Sequence, residues 1–218
     1  MNDFFIAVYT TYAKRYCDAK FFKRLGEIAG DEYISVIDNS QYTEYIKTLE
    51  DLCKNHLKNY SLKHIDIPPG DRLFLRAVSE SVCLLQDEFL KSDKKYFLIL
   101  ESDVYPKDDE TLEEFLSVLE YGDIIGGVYY PGPHAEEWFS PDYSEIHFSF
   151  VLSGCTLYKR EVLEKIKFRI DMNNPNAFPD AYMYNDAKAA GFRAVNFTGI
   201  KCDHLHDINR GRGHNELC

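Results

Sequence analysis

Positive charge is scarce in this sequence: 25 Lys and Arg stand against 36 Asp and Glu, a formal net charge of -11. So acidic a chain is poorly suited to neutralising a nucleic-acid backbone, which argues against that class of partner; one small phosphorylated ligand held by a local cluster is still open. Nowhere does an apolar run approach the roughly 20 residues of a membrane span. The six cysteines (17, 53, 83, 155, 202 and 218) contain no C-x-x-C pair, and a chain of 218 residues has core enough to dispense with disulfide staples, so free thiols are expected. MNDFFIAVYTTYAKRY puts Asp3 before a short apolar run and lacks a signal-peptide cleavage region, so a first β-strand and a cytoplasmic location are expected. No repeat, low-complexity tract or linker interrupts the chain, and one α/β domain over residues 1–218 is the simplest organisation.

What is present is a regular alternation of elements. FFIAVYT, EYISVIDNS and KKYFLILESD read as strands, with SLKHIDIPPG a short strand and turn. Between them DAKFFKRLGEIAG, TEYIKTLEDLCKNHLKNY and residues 71–90 carry apolar stripes at helical spacing; in the last of these Leu73, Ala77, Val78, Ser81, Leu84 and Leu85 are expected to face inward. DDETLEEFLSVLE reads as a helix with acids in its first turn, as the helix dipole prefers. This pattern predicts an open, mostly parallel sheet flanked by helices, with ligands at the carboxyl ends of the strands. The second half predicts two β-rich runs around a long loop (Pro131 to Asp142), short helices over CTLYKREVLEKIKF and PDAYMYNDAKAAGF, a strand RAVNFTG and a polar tail.

Three constellations stand out. The apolar strand Tyr96 to Leu100 ends abruptly in Glu101-Ser102-Asp103, two carboxylates that need a positive partner; a hydrated Mg²⁺ or Mn²⁺ suits such oxygen ligands, and a solvated turn would explain them equally. His204 and His206, in CDHLHD, point the same way on an extended segment, and Arg210, Arg212 and Lys201 would add cations suited to phosphate oxygens. Asp180 opens a helix, where it serves either as a cap or as a general base.

In their order and spacing, VIDNS, YFLILESDVYPKDDETLEEFL, SGCTLYKREVLEKIKFR, PDAYMYNDAKAAGFRAVNF and CDHLH resemble the GT-A-fold glycosyltransferases, a large and mostly inverting family that uses nucleotide-activated sugars. The resemblance runs from about Phe4 to His206. It implies a Rossmann-like nucleotide-sugar-binding half (1–103) and an acceptor-binding, catalytic half (104–218). It places Thr10 and Asp38 around the nucleotide and makes Glu101 and Asp103 the outer positions of a DXD-like motif, with Glu101 toward the nucleotide and Asp103 on the metal. His204 would complete the coordination of Mn²⁺ or Mg²⁺, Arg210 and Arg212 would attend the leaving diphosphate, and Asp180 would deprotonate the acceptor. His134 and Trp138 fall where the acceptor arrives. The implied donor is a UDP- or GDP-sugar and the implied acceptor a glycan, a lipid-linked group or a protein. Two positions depart from the pattern: Glu101 replaces the first Asp, and Pro179 replaces an acidic neighbour of Asp180. A nucleotidyltransferase on a related sheet is the alternative enzyme, although VYTTYAKRY lacks the glycine-rich phosphate loop that class uses; an inactive sugar-nucleotide or glycan-binding module is the non-enzyme alternative.

Overall fold

Alternation of side chains along the first strand sets the layering of the molecule. Every residue of β1 (Phe4–Thr10) is buried. Phe4, Ile6 and Val8 pack to one side with Phe21, Phe22 and Leu25 of α1 (Asp18–Ala29). Phe5, Ala7 and Tyr9 pack to the other with Val82, Leu85 and Phe89 of α3 (Leu73–Lys91). A strand covered on both faces has no polar side to show, which is why FFIAVYT is a continuous apolar run rather than an alternating one. The computed structural model describes residues 3–42, 44–68, 73–129, 146–147, 154–171 and 178–205.

Three more strands join β1 in parallel: β2 (Tyr33–Asp38), β3 (Tyr60–His64) and β4 (Tyr96–Glu101), in the order β3-β2-β1-β4. α1, α2 (Tyr45–His56) and α3 make the crossovers. Phe97 of β4 anchors one face, its ring 5.9 Å from Phe5 and 5.4 Å from Phe89. Each such fully buried ring stabilises the fold by about 1.5–3 kcal/mol relative to exposure.

The parallel register aligns the strand ends. Thr10 is paired with Asp38 and Tyr9 with Glu101, so one edge of the sheet collects every polar residue at which the apolar runs stop. This is where an open α/β sheet binds its ligands.

Beyond β4 the sheet becomes mixed. After β5 (Val104–Pro106), α4 (Thr111–Ser117), β6 (Ile124–Val128) and β7 (Ile146–His147) come β8 (Cys155–Lys159), α5 (Arg160–Lys165), α6 (Pro179–Ala189) and β9 (Ala194–His204). The order continues β4-β8-β6-β9-β5, and β7 pairs with β9. β8 runs antiparallel to both β4 and β6.

Several local expectations are corrected. CTLYK is a strand rather than the start of a helix, because Cys155, Thr156, Leu157 and Tyr158 are buried against β4 and β6. Leu84 is 42% exposed on α3, while Val82 and Phe89 take the inward positions. The last strand does not stop at Gly199 but runs on to His204, burying Ile200 and Cys202, so that part of the tail expected to be polar is sheet. Leu73's side chain lies outside the described residues. The five described cysteines are free thiols.

Candidate active site

At the end of β4 the two carboxylates of the acidic triplet find their positive partner. Lys14, in the 3-10 turn Tyr12–Lys14 that follows β1, places Nζ 3.2 Å from Glu101 Oε2 and 2.7 Å from Asp103 Oδ1. Burial works against a charged amine, but Glu101 and Asp103 outweigh it and raise the Lys14 pKa above the ordinary lysine value. The Tyr9 hydroxyl donates a short hydrogen bond to Glu101 Oε1. Burial, and then the Glu101 charge, hold that phenol far above its usual pKa, so it stays a donor. Ser102 is wholly buried: its Oγ accepts from Thr10 Oγ1 at 2.9 Å and its carbonyl accepts from Cys17 Sγ at 3.1 Å. The small middle residue ties the triplet to β1 and to the start of α1, while the acids on either side of it both reach Lys14.

Asp103 also meets the last strand. Past a register shift between Gly127 and Val128, β9 still pairs with β6 at Lys201, and its last residues pair antiparallel with β5, aligning Val104 with His204. Leu205 N donates to Asp103 O at 2.8 Å, and His204 Nε2 comes to 3.7 Å from Asp103 Oδ2. Burial opposes ionisation of Asp103, but His204 and Lys14 prevail and hold its carboxyl down at about 2. The sheet thus brings together Asp103 and His204, the two residues expected to share a cation.

Thr10 and Asp38 occupy adjacent strand ends, both buried. Thr10 turns its hydroxyl inward to Ser102. Asp38 accepts from Ser40 N and Ser40 Oγ, each at 3.0 Å, and lies 2.8 Å from His64 Nδ1. Burial works against a charged imidazole at His64, but Asp38 and Asp66 more than compensate and raise its pKa. In front of these strand ends the half-exposed Tyr42 ring packs on Tyr12, centroids 4.4 Å apart, and the Arg15 guanidinium covers the Tyr12 ring at 4.1 Å.

Asp180 lies in the first turn of α6, with Pro179 at the helix start, where its fixed backbone and missing N–H are best tolerated. Its Oδ1 accepts from Ala181 N at 2.8 Å. Its charge adds to the upward pKa displacement that burial gives the Tyr9, Tyr129 and Tyr158 phenols. Tyr129, the residue just after β6, joins the site: its hydroxyl accepts from Gly154 N at 3.1 Å, and its ring meets His204 edge-on at 5.5 Å. Arg210, Arg212 and His206, with His134 and Trp138, lie outside the described residues.

Lys14, Tyr9 and Tyr129 were not singled out from the sequence. Only Lys14 carried a usable signal: with Arg15 it makes a basic pair in VYTTYAKRY just past a strand end, in a chain where another strand ends in two acids.

No protein-family model and no curated protein matches this chain. Solved structures do. The mannosyltransferase PcManGT from Pyrobaculum calidifontis, in complex with GDP-Man and Mn²⁺, superposes with a TM-score of 0.67 at 14% identity, over 96% of this chain and 58% of that one. The chain has the GT-A fold. Residues 1–349 of S. aureus TarS in complex with UDP-GlcNAc give a TM-score of 0.61 at 15% identity, over 98% of this chain and 62% of that one. A197 from STIV gives 0.52 at 19% identity, over 95% and 87%. The chain therefore spans about 60% of the length of the TarS and PcManGT chains it matches.

The residues present suit a divalent ion. Among the described residues no three His, Cys, Asp or Glu side chains converge on one point. Asp103 Oδ2 and His204 Nε2 do face each other. Mg²⁺ and Mn²⁺ are usually held by one or two protein groups, with substrate phosphates and water filling the rest, and a carboxylate with an imidazole is a donor set that Mn²⁺ accepts.

Proposed function

We propose that this chain is a glycosyltransferase that moves a sugar from a UDP- or GDP-sugar to an acceptor hydroxyl, with a divalent ion at Asp103 and His204 and with inversion at the sugar carbon. The observation that carries this reading is the convergence of Asp103 and His204, from the two halves of the chain, at the strand ends where β1 and β2 also stop. The GDP-Man and Mn²⁺ bound to PcManGT and the UDP-GlcNAc bound to TarS set the donor class to test.

In this reading the nucleotide lies across the ends of β1 and β2, its base near Tyr12 and Tyr42 and its ribose toward Glu101. Asp38 fixes His64 there rather than being itself freely exposed. Sugar transfer leaves negative charge growing on the departing diphosphate, and a bound dication supplies the electrostatic stabilisation of that charge. Asp103 and His204 hold their donor atoms ready for it, and the Tyr9 and Lys14 contacts keep Glu101 from swinging away. Asp180, across the crevice from the diphosphate, takes the proton from the acceptor hydroxyl as that oxygen attacks the sugar carbon. Pro179 is explained by its place at the helix start, so it does not count toward an inactive module.

The deciding experiment is calorimetric binding of UDP and GDP with and without Mn²⁺, followed by nucleotide release from a panel of UDP- and GDP-sugars. Mn²⁺-dependent binding and turnover of at least one donor are expected. No nucleotide binding and no turnover with any donor would reject the reading, and pyrophosphate release from a nucleoside triphosphate would replace it with the nucleotidyltransferase.

A further inference from the structure

The acidic end of β4 already holds a cation supplied by the protein. Lys14 Nζ bridges Glu101 and Asp103 with only 13% of its side chain exposed, and it projects from the turn immediately after β1. Asp103 is divided between two partners: Oδ1 faces this ammonium and Oδ2 faces His204. The Tyr9 ring lies 5.9 Å from Nζ and forms one wall of the seat. Two carboxylates crowded at one strand end repel each other unless a positive group stands between them.

We propose that Lys14 is a resident counter-ion of this site. Its ammonium holds Glu101 and Asp103 together while no divalent cation is present, and it gives up Asp103 when Mn²⁺ or Mg²⁺ binds, turning toward the incoming diphosphate. The inference rests on the sugar-transfer reading above and gives it a regulated cation seat. Two consequences follow from charge alone. A monovalent and a divalent cation sharing one carboxylate oppose each other, so Lys14 weakens metal binding. Removing the ammonium leaves two facing carboxylates, so the metal-free protein loses stability.

The test compares the wild type with Lys14→Met, using Mn²⁺ alone as the probe. Titration followed by the electron paramagnetic resonance of free Mn²⁺ is expected to show binding at least about tenfold tighter in Lys14→Met. Thermal melting is expected to show Lys14→Met less stable than the wild type without metal and gaining more from Mn²⁺. A measurement on the wild type stands even if that variant fails to fold: acylation of the Lys14 amine by an N-hydroxysuccinimide ester, quantified by mass spectrometry, rises when Mn²⁺ is added. Equal Mn²⁺ affinity in the two proteins, absence of Mn²⁺ binding in both, or Lys14 labelling unchanged by saturating Mn²⁺ overturns the proposal. The sugar-transfer reading is judged separately, by nucleotide binding and donor turnover with and without Mn²⁺ in the wild type.

Discussion

Replacing Gly154 by alanine probes how tightly the floor of the crevice is built. A β-carbon there would run into the Tyr129 phenol, against its oxygen, Cζ and Cε1. That ring has little freedom to retreat, because its hydroxyl accepts from Gly154 N and its edge packs on His204. The backbone cannot easily yield either, since Gly154 O accepts from Glu101 N at 2.9 Å. Forcing a methyl group into a packed site costs about 1–3 kcal/mol, and losing the Gly154–Tyr129 hydrogen bond adds about 1 kcal/mol. The expected loss is about 2–4 kcal/mol. At about 2–4 °C per kcal/mol for a domain of this size, Tm falls by about 4–16 °C. Equilibrium urea unfolding and calorimetry measure it directly. The double variant Gly154→Ala/Tyr129→Ala should lose less than the sum of the two single variants, because removing the ring makes room for the methyl group. A single-variant effect below about 0.5 kcal/mol, or strict additivity in the double variant, would refute the packing argument.

Asp180→Asn should lower sugar-transfer turnover by about 10²–10⁴-fold while leaving nucleotide affinity unchanged, as steady-state kinetics beside calorimetry would show; equal turnover would remove Asp180 as the base. Asp103 is held at about 2, below the ordinary carboxyl value, so its contribution to stability is complete above about pH 4 and is lost as pH falls toward about 2. Urea unfolding across that window should show the loss, and Asp103→Asn should flatten it. His64 is raised, so its contribution is complete below the ordinary imidazole value of about 6.5 and is lost as pH rises through the folded-state value. His64→Ala should abolish that part of the pH dependence, and an unchanged profile would show that the Asp38 contact contributes nothing.

The helices of the first half were legible because each is announced locally: Phe21, Phe22, Leu25 and Ile28 recur at helical spacing and face the core as expected. The strand ends were legible for a related reason. Asp38 and Glu101 each close an apolar run, and parallel pairing aligns them on one edge whatever else the fold does. The second half was harder to read. CTLYK carries no clear alternation, being buried between two strands, and only its antiparallel insertion between β4 and β6 makes it sheet. The extension of β9 past Gly199 likewise depends on a partner, β5, that is far away in the chain.

By itself the sequence determined which segments are strands and helices in the first half of the chain, and that acids cluster where strands stop, because both follow from periodicities of a few residues. Tertiary structure alone decided that Lys14 lies between Glu101 and Asp103 and that Tyr129 backs His204; that His204 meets Asp103 was expected only through the family resemblance, not from any local pattern. The physical reason is that each contact joins residues from different strands or turns. Their proximity is set by strand order, by the register shift at Gly127 and by antiparallel pairing, none of which a local pattern encodes.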